Sequence, residues 1–360
     1  SEGAFNTNGK VNAVSLRVKR TASPQYWAGD HWDVTGGSSA VVSPSEGYSV
    51  GWSSAVATPW ADDEQYTVYV RITDKAGNAT GPEEAGLSRT FIYDTSAPTA
   101  YIVKPSSTDY LGALTEVRGT ASDPGTYKSD VSKTRIALQR ISDAQYWDGV
   151  SVDPNGFNVT GNGTAEWLTA TDTSPWFFSI ANAAFENGIS YRLVVKASDT
   201  VGNEQNTFTW AVSSITFRVD KQAPSSALTT SPGTSVTTYT PTGLVANAFQ
   251  GQTVDNLTAI NRVELQVSYL EGSTTNYWNW VASSWTNVSS SNTVKEPVQI
   301  LPCNPCTSSV TWTQNFTGAN WVSDKRYTLV VRSTDSAKIY NGVNSVIKGN
   351  EENTETLDGN

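Results

Sequence analysis

Methionine is absent from the 360 residues, histidine occurs once, at His31, and cysteine twice. Each scarcity excludes something. Without Met, Ser1 is not a translated start, so the sequence reads as a processed product or as part of something longer. A lone His31, in the loop-like run AGDHWDV, leaves no set of bases for Ser-His-Asp or Cys-His chemistry and reads as surface packing. One CxxC and one His fall short of a zinc ligand set. Basic residues are few and scattered, 24 against 34 acidic for a net charge of −10, which excludes the clustered basic surface that nucleic acid requires. No apolar run approaches the length of a membrane-crossing helix, and no signal peptide is visible at Ser1. Helical periodicity is missing too, and with it any Gly-rich phosphate loop opening a helix. Acidic residues sit mostly in turns and junctions, and no unit carries a pair of its own like those of glycosidases, so the expectation is a non-enzyme without a cofactor.

What is present favours strands. Hydrophobic residues make up 38% of the chain and there are 13 Trp, enough to build real cores. Val outweighs Leu in the periodic segments, and Ser, Thr, Asn and Gly fill the rest. The clearest stretch is YRLVVKASDTVGN from Tyr191, in which Tyr191, Leu193, Val195 and Ala197 share one strand face. A turn follows through Gly202, then FRVDKQAP ending at Pro224. The same pattern stands earlier as YTVYVRITDKAGN (from Tyr66) with FIYDTSAP, and more loosely as YTLVVRSTDSAK from Tyr327. In all three the Asp follows the Tyr by eight residues, which marks one supersecondary unit used three times. The Tyr fits a tyrosine corner.

Other features repeat with it. Val14, Leu16 and Val18, then Ile136 and Leu138, then Val263, Leu265 and Val267 alternate with polar residues, and each run is followed by a Tyr-Trp pair. Those pairs, Tyr26/Trp27, Tyr146/Trp147 and Tyr277/Trp278, are 120 and 131 residues apart. Pro59-Trp60 matches Pro175-Trp176, with Trp312 as a third equivalent. A period of this size suits a sandwich of seven or more strands. The expected architecture is all-β: three tandem sandwiches, which the resemblance described next makes immunoglobulin-like, over residues 1–97, 98–223 and 224–360, joined by short Pro-containing connections into a semi-rigid rod.

The pattern Y-x-V-x-V-x-x-x-D-x-A-G-N followed by F-x-x-D-x-x-A-P resembles the tandem bacterial Ig-like domains of large surface and secreted proteins. That resemblance spans the whole chain as three units and is strongest in the first two. It implies an extracellular or cell-surface setting, a structural role as a segment or subunit of a fibre, filament or adhesin stalk, and further Ig-like repeats or copies of itself as partners. The third unit departs from it: Asp335 is followed by SAKIYNGVN instead of a Gly-Asn turn, and its last strand is absent or reduced to the tail before Asp358. The first unit departs at its start, where strand-like leads corresponding to AYIVKPSS and ALTEVRGTAS are missing. Either the chain is cut from a longer array, the favoured reading, or a neighbouring copy donates the strand and builds a head-to-tail fibre.

Four sets of side chains are candidates for sites. Asp74 with Asn78, Asp199 with Asn203, and the junction residues Asp94 and Asp220 offer hard oxygen ligands to calcium, although Asx-type turn capping is the simpler reading. The Tyr-Trp pairs could stack on sugar rings, which makes a carbohydrate-binding or adhesive module the alternative function; a core role is favoured because the pair recurs in every unit. Cys303 and Cys306 could close a small disulfide loop in an oxidising compartment, with redox or metal readings as the alternatives. Asn78, Asn158, Asn162, Asn256, Asn287 and Asn315 stand in Asn-x-Ser/Thr sequons, the acceptor pattern for N-glycosylation.

Overall fold

The structure is a computed structural model. It describes residues 9–34, 40–42, 50–53, 60–81, 87–106, 109–229, 248–287, 299–301, 307–316, 321–341, 344–346, 349–351 and 355–358. Cys303 and Cys306 lie outside the described residues. The fold is all-β, with no α-helix among the described residues.

The second unit shows the plan most fully. Its strands are β7 (Thr99–Lys104), β8 (Tyr110–Leu114), β9 (Glu116–Ser122), β10 (Val131–Arg140), β11 (Tyr146–Trp147), β12 (Phe157–Val159), β13 (Leu168–Thr169), β14 (Trp176–Ser179), β15 (Ser190–Asp199) and β16 (Ser214–Val219). One sheet has the order β14-β9-β7; the facing sheet runs β12-β11-β10-β15-β16-β8, with β13 also on β10. The chain therefore enters on one sheet as β7 and crosses to the other as β8, which lies parallel to β16. This is the immunoglobulin-like arrangement of two antiparallel sheets with a switched first strand. Strand alternation builds the core between them: Tyr191, Leu193, Val195 and Ala197 of β15, with Ile136 and Leu138 of β10, are all buried.

Two glycines show how a Trp ring lies across the neighbouring strand of its own sheet, since Trp176 stands opposite Gly119 and Trp312 opposite Gly251. A Cβ on Gly119 of β9 would lie 2.4 Å from the Trp176 ring and 1.8 Å from the Tyr101 carbonyl oxygen. In the third unit a Cβ on Gly251 would lie 2.1 Å from the Trp312 ring. A bare backbone is required under each ring, and the shared contact establishes Trp312 as the counterpart of Trp176.

The third unit comprises β17 (Ser225–Leu228), β18 (Ala248–Val254), β19 (Ile260–Glu271), β20 (Thr274–Asn279), β21 (Ser284–Asn287), β22 (Gln299–Leu301), β23 (Ser309–Asn315), β24 (Tyr327–Asp335), β25 (Lys338–Asn341), β26 (Asn344–Val346) and β27 (Glu355–Asp358). Its sheets are β17-β18-β23 and β21-β20-β19-β24-β27, the latter with β22 on β19. The doubtful last strand is thus β27, antiparallel to β24 in the tail before Asp358. The missing Gly-Asn turn is also explained. Gly349-Asn350 occupies it, and the hairpin β25-β26 is inserted between Asp335 and that pair. This hairpin leaves its own unit: β25 pairs in parallel with β8 and extends the larger sheet of the second unit.

The first unit contains β1 (Val11–Arg20), β2 (Gln25–Trp27), β3 (Trp32–Asp33), β4 (Ala40–Val42), β5 (Glu64–Asp74) and β6 (Ser88–Tyr93). They form one sheet in the order β3-β2-β1-β5-β6, with β4 also on β1. Among the described residues no sheet comparable to β14-β9-β7 faces it.

All three units close on the same corner. The Tyr66 hydroxyl accepts a bond from the Ala61 amide (2.9 Å), Tyr191 from Glu186 (2.9 Å) and Tyr327 from Val322 (2.5 Å), each five residues upstream. The three phenols lock the turn into the strand that ends in the repeated Asp.

Candidate functional site

That Asp is held the same way three times. At its position β5, β15 and β24 lie opposite the first residue of the neighbouring strand, Val11↔Asp74, Val131↔Asp199 and Ile260↔Asp335, and the register shifts immediately afterwards. Such a bulge bends the strand end and re-aims its side chain. The Asp carboxylate then clasps an Asn: Asn78 donates its amide (2.8 Å) and Nδ2 (2.9 Å) to Asp74, Asn203 does so to Asp199 (2.8 and 2.8 Å), and Asn350 to Asp335 (2.8 and 2.7 Å). Turn capping accounts for the bonds between Asp74 and Asn78, of which Asn78 is exposed and Asp74 half-buried.

At the two junctions the clasp does more. Asn203 Nδ2 also donates to the Asp94 carbonyl (3.1 Å), and Asn350 Nδ2 to the Asp220 carbonyl (2.7 Å), so each reaches the residue that follows the last strand of the preceding unit. A third carboxylate arrives from the end of the strand carrying the bare glycine, Asp123 after β9 and Asp255 after β18. Asp94, Asp123 and Asp199 form one group, and Asp220, Asp255 and Asp335 the other. Within each group one carboxylate oxygen from each residue lies within 4.8 Å of those from the other two. Asp123, Asp255 and Asp335 were not singled out as site residues from sequence. A signal was available: Gly119-x-x-x-Asp123 and Gly251-x-x-x-Asp255 share one spacing.

Burial makes these groups unusual. Asp123 is 5% exposed, Asp255 6% and Asp220 and Asp335 0%. Both carboxylate oxygens of Asp123, and Oδ2 of Asp220 and of Asp255, are buried without a hydrogen-bond partner. Three charges at such spacing repel by roughly 3 kcal/mol per pair at an effective dielectric constant of about 20. Burial, reinforced by Asp94 and Asp199, pushes the Asp123 carboxyl up to about 6. Burial, reinforced by Asp255 and Asp335, pushes Asp220 up to about 6 as well, and burial raises Asp335. Burial also acts on Asp199, but the bonds from Asn203, Gly202 and Ser129 outweigh it and leave that carboxyl below its usual range. Cations nearby are turned elsewhere. Lys128 Nζ donates to the Asp123 carbonyl, and Lys221 Nζ to the carbonyls of Asn182 and Phe185.

The aromatic pairs are placed differently from a sugar platform. Trp147 is 2% exposed and Trp278 5%, both inside the sandwich cores, while Tyr26, Trp27, Tyr146 and Tyr277 are half-buried. Trp147 packs edge-on to Phe178, and Trp278 edge-on to Trp285 and Phe316. A ring enclosed in this way presents no face to a ligand, which corrects the stacking role for Trp147 and Trp278. The six sequon asparagines Asn78, Asn158, Asn162, Asn256, Asn287 and Asn315 are all exposed. His31 is exposed beside Asp30, at 2.5 Å.

No family model and no curated protein matches the chain. Among solved structures, it is similar to the chicken CNTN1 FN1-FN3 domains, at 11% identity and a TM-score of 0.27, covering 99% of this chain and 91% of that one. A tetra-tandem repeat from the extending region of a large adhesion protein matches at 13% identity and a TM-score of 0.26, covering 100% and 74%. At these values the superpositions carry no weight of their own; the tandem Ig-like fold stands on the sheets described above.

Proposed function

We propose that the chain is a non-enzymatic structural segment of an extracellular or cell-surface protein, a stretch of fibre, filament or adhesin stalk built from Ig-like units of the bacterial tandem type. The observation that carries this reading is the junction built twice to one plan. In both, a short Asp-x-x-Ala-Pro link is clasped by an Asn of the following unit through the carbonyl of the link's own Asp. Links of this kind suit a spacer that holds its units in fixed succession. Head-to-tail assembly by strand addition is the finer form of the proposal. It is supported by the single described sheet of the first unit and by β25, which already adds a strand across a unit boundary. Immunogold labelling of unpermeabilised source cells tests the setting: label on the surface or on shed fibres supports it, and label confined to permeabilised cells contradicts it. Small-angle scattering of the chain tests the spacer, which predicts three units in an extended, narrow distribution; a compact or freely swinging ensemble opposes it.

A further inference from the structure

We infer that each junction is a calcium site, with Asp94, Asp123 and Asp199 holding one ion and Asp220, Asp255 and Asp335 a second. The inference goes beyond the spacer reading and does not depend on it.

The first reason is what the buried oxygens lack. Asp123, 95% removed from solvent, has no hydrogen-bond partner on either carboxylate oxygen, and Oδ2 of Asp220 and of Asp255 is equally bare. Buried carboxylates are ordinarily hydrogen-bonded, ion-paired or bound to metal. Each bare oxygen belongs to a carboxylate of a group in which one oxygen per residue lies within 4.8 Å of the others, comparable with the roughly 5 Å that separates opposite ligands around Ca2+.

The second reason is how the remaining oxygens are held. Asp94 Oδ1 accepts from the Ser96 amide (3.1 Å) and Oδ2 from Ser129 (2.7 Å). Asp220 Oδ1 accepts from Gln222 (3.2 Å), and Asp255 Oδ1 from Leu257 (2.8 Å) and Thr258 (2.6 Å). Asp199 and Asp335 are fixed by their Asn clasps. Backbone amides therefore orient the carboxylates from outside, as the outer partners of metal ligands do.

The third reason is repetition with a built-in contrast. Two junctions far apart in sequence assemble the same three carboxylates from the same three strand ends. The first unit's Asp74, only half-buried and clasped by the exposed Asn78, is in neither group.

The donors are all oxygen, which selects a hard cation over zinc or copper. Burial selects Ca2+ over Mg2+, because Mg2+ keeps several of its waters and demands near-ideal octahedral geometry. The site would tie the end of one unit to two strand ends of the next through a single ion.

The test is calorimetric titration of the full, chelator-treated chain with CaCl2. Two ions per chain are expected, with MgCl2 at least tenfold weaker. Asp123→Asn and Asp220→Asn should each reduce the count to one and weaken the affected site at least a hundredfold, while Asp74→Asn leaves two. Circular dichroism checks that every variant is folded; should an asparagine variant be unfolded, the shift of the wild-type melting temperature between chelator and calcium decides instead. No uptake at millimolar calcium, no such shift, or two ions persisting in both junction variants would overturn the inference. Scattering on the same samples separates this result from the spacer reading. A chain that binds no calcium yet stays extended removes only the ion, and one that binds calcium while its units swing removes only the spacer.

Discussion

The two junctions carry the same acidic group and the same Asn clasp but are braced in different ways. At the first, the preceding unit reaches forward with a side chain: Asp63 Oδ1 accepts from the amides of Thr126 (2.6 Å) and Tyr127 (2.5 Å). At the second, the position corresponding to Asp63 is Gly188, and the brace comes from the opposite direction. The third unit sends back β25-β26, which lies along β8 and pairs Lys338 with buried Asp109 at 2.6 Å. Both Asp63 and Gly188 have positive φ, 57° and 76°, so the local backbone is the same while the side chain differs. The layer beneath the acidic groups differs as well. Buried Ala100, Ala121 and Ala197 hold these places in the second unit, whereas in the third they are Ser226, Thr253 and Ser333, with the Ser226 hydroxyl bonded to both of the others. The invariant part of the joint is therefore the clasp and its three carboxylates, and the brace is interchangeable.

Replacing residues 336–349 by the short Thr-Val-Gly link found after Asp199 should have the largest effect. It removes the β25–β8 pairing while keeping an Asn clasp. At about 1 kcal/mol per net hydrogen bond, the expected loss is roughly 2–4 kcal/mol, read as faster amide exchange in β8 and β16 and as earlier separation of the third unit's melting. Unchanged exchange in β8 would show that the hairpin braces nothing.

Asn203→Ala and Asn350→Ala should each cost about 1–3 kcal/mol, because each strands a buried Asp oxygen and a carbonyl of the preceding unit. Asn78→Ala, at the exposed clasp, should cost less than about 1 kcal/mol. Equal costs at all three would remove the distinction between a turn cap and a joint; chemical denaturation measures them.

A pH effect of about 1–2 kcal/mol is expected in chelator. The Asp220 carboxyl is raised to about 6 in the folded chain from a usual value near 3.8, so the folded state holds its proton more tightly. That contribution is fully present below about pH 4 and is lost as pH rises through about 6. Asp220→Asn should therefore gain stability relative to the parent between pH 4 and pH 7 without calcium. A difference that is flat with pH would contradict the raised value.

Asp63→Gly, which makes the first junction resemble the second, should cost about 1 kcal/mol through the lost acceptor. Lys338→Met, which removes the ion pair between a half-exposed lysine and the buried Asp109 carboxylate, should cost about as much.

The repeat, the strand faces and the tyrosine corner were legible because they are local: period-two alternation and a fixed Tyr-to-Asp spacing sit within one strand and its turn. Trp312 followed from order along the chain. The acidic groups were only half legible. Asp94, Asp199 and Asp220 stood in visible motifs, whereas Asp123 and Asp255 follow ordinary strands and acquire meaning only when the β9 and β18 ends meet the clasp. Asn350 was hidden by the inserted hairpin, which moved a Gly-Asn pair 11 residues along from its place in the second unit. Burial of Trp147 and Trp278 could not be read from the pairs themselves, since a Tyr-Trp dipeptide on a strand sends one ring to each face and alternation does not say which face is covered.

The most direct test of the joint is a crystal structure of the chain grown in calcium, with anomalous scattering recorded. The account predicts one ion in each group, bound by Asp94, Asp123 and Asp199 and by Asp220, Asp255 and Asp335, with oxygens at about 2.3–2.6 Å. Waters alone between those carboxylates, at saturating calcium, would contradict it.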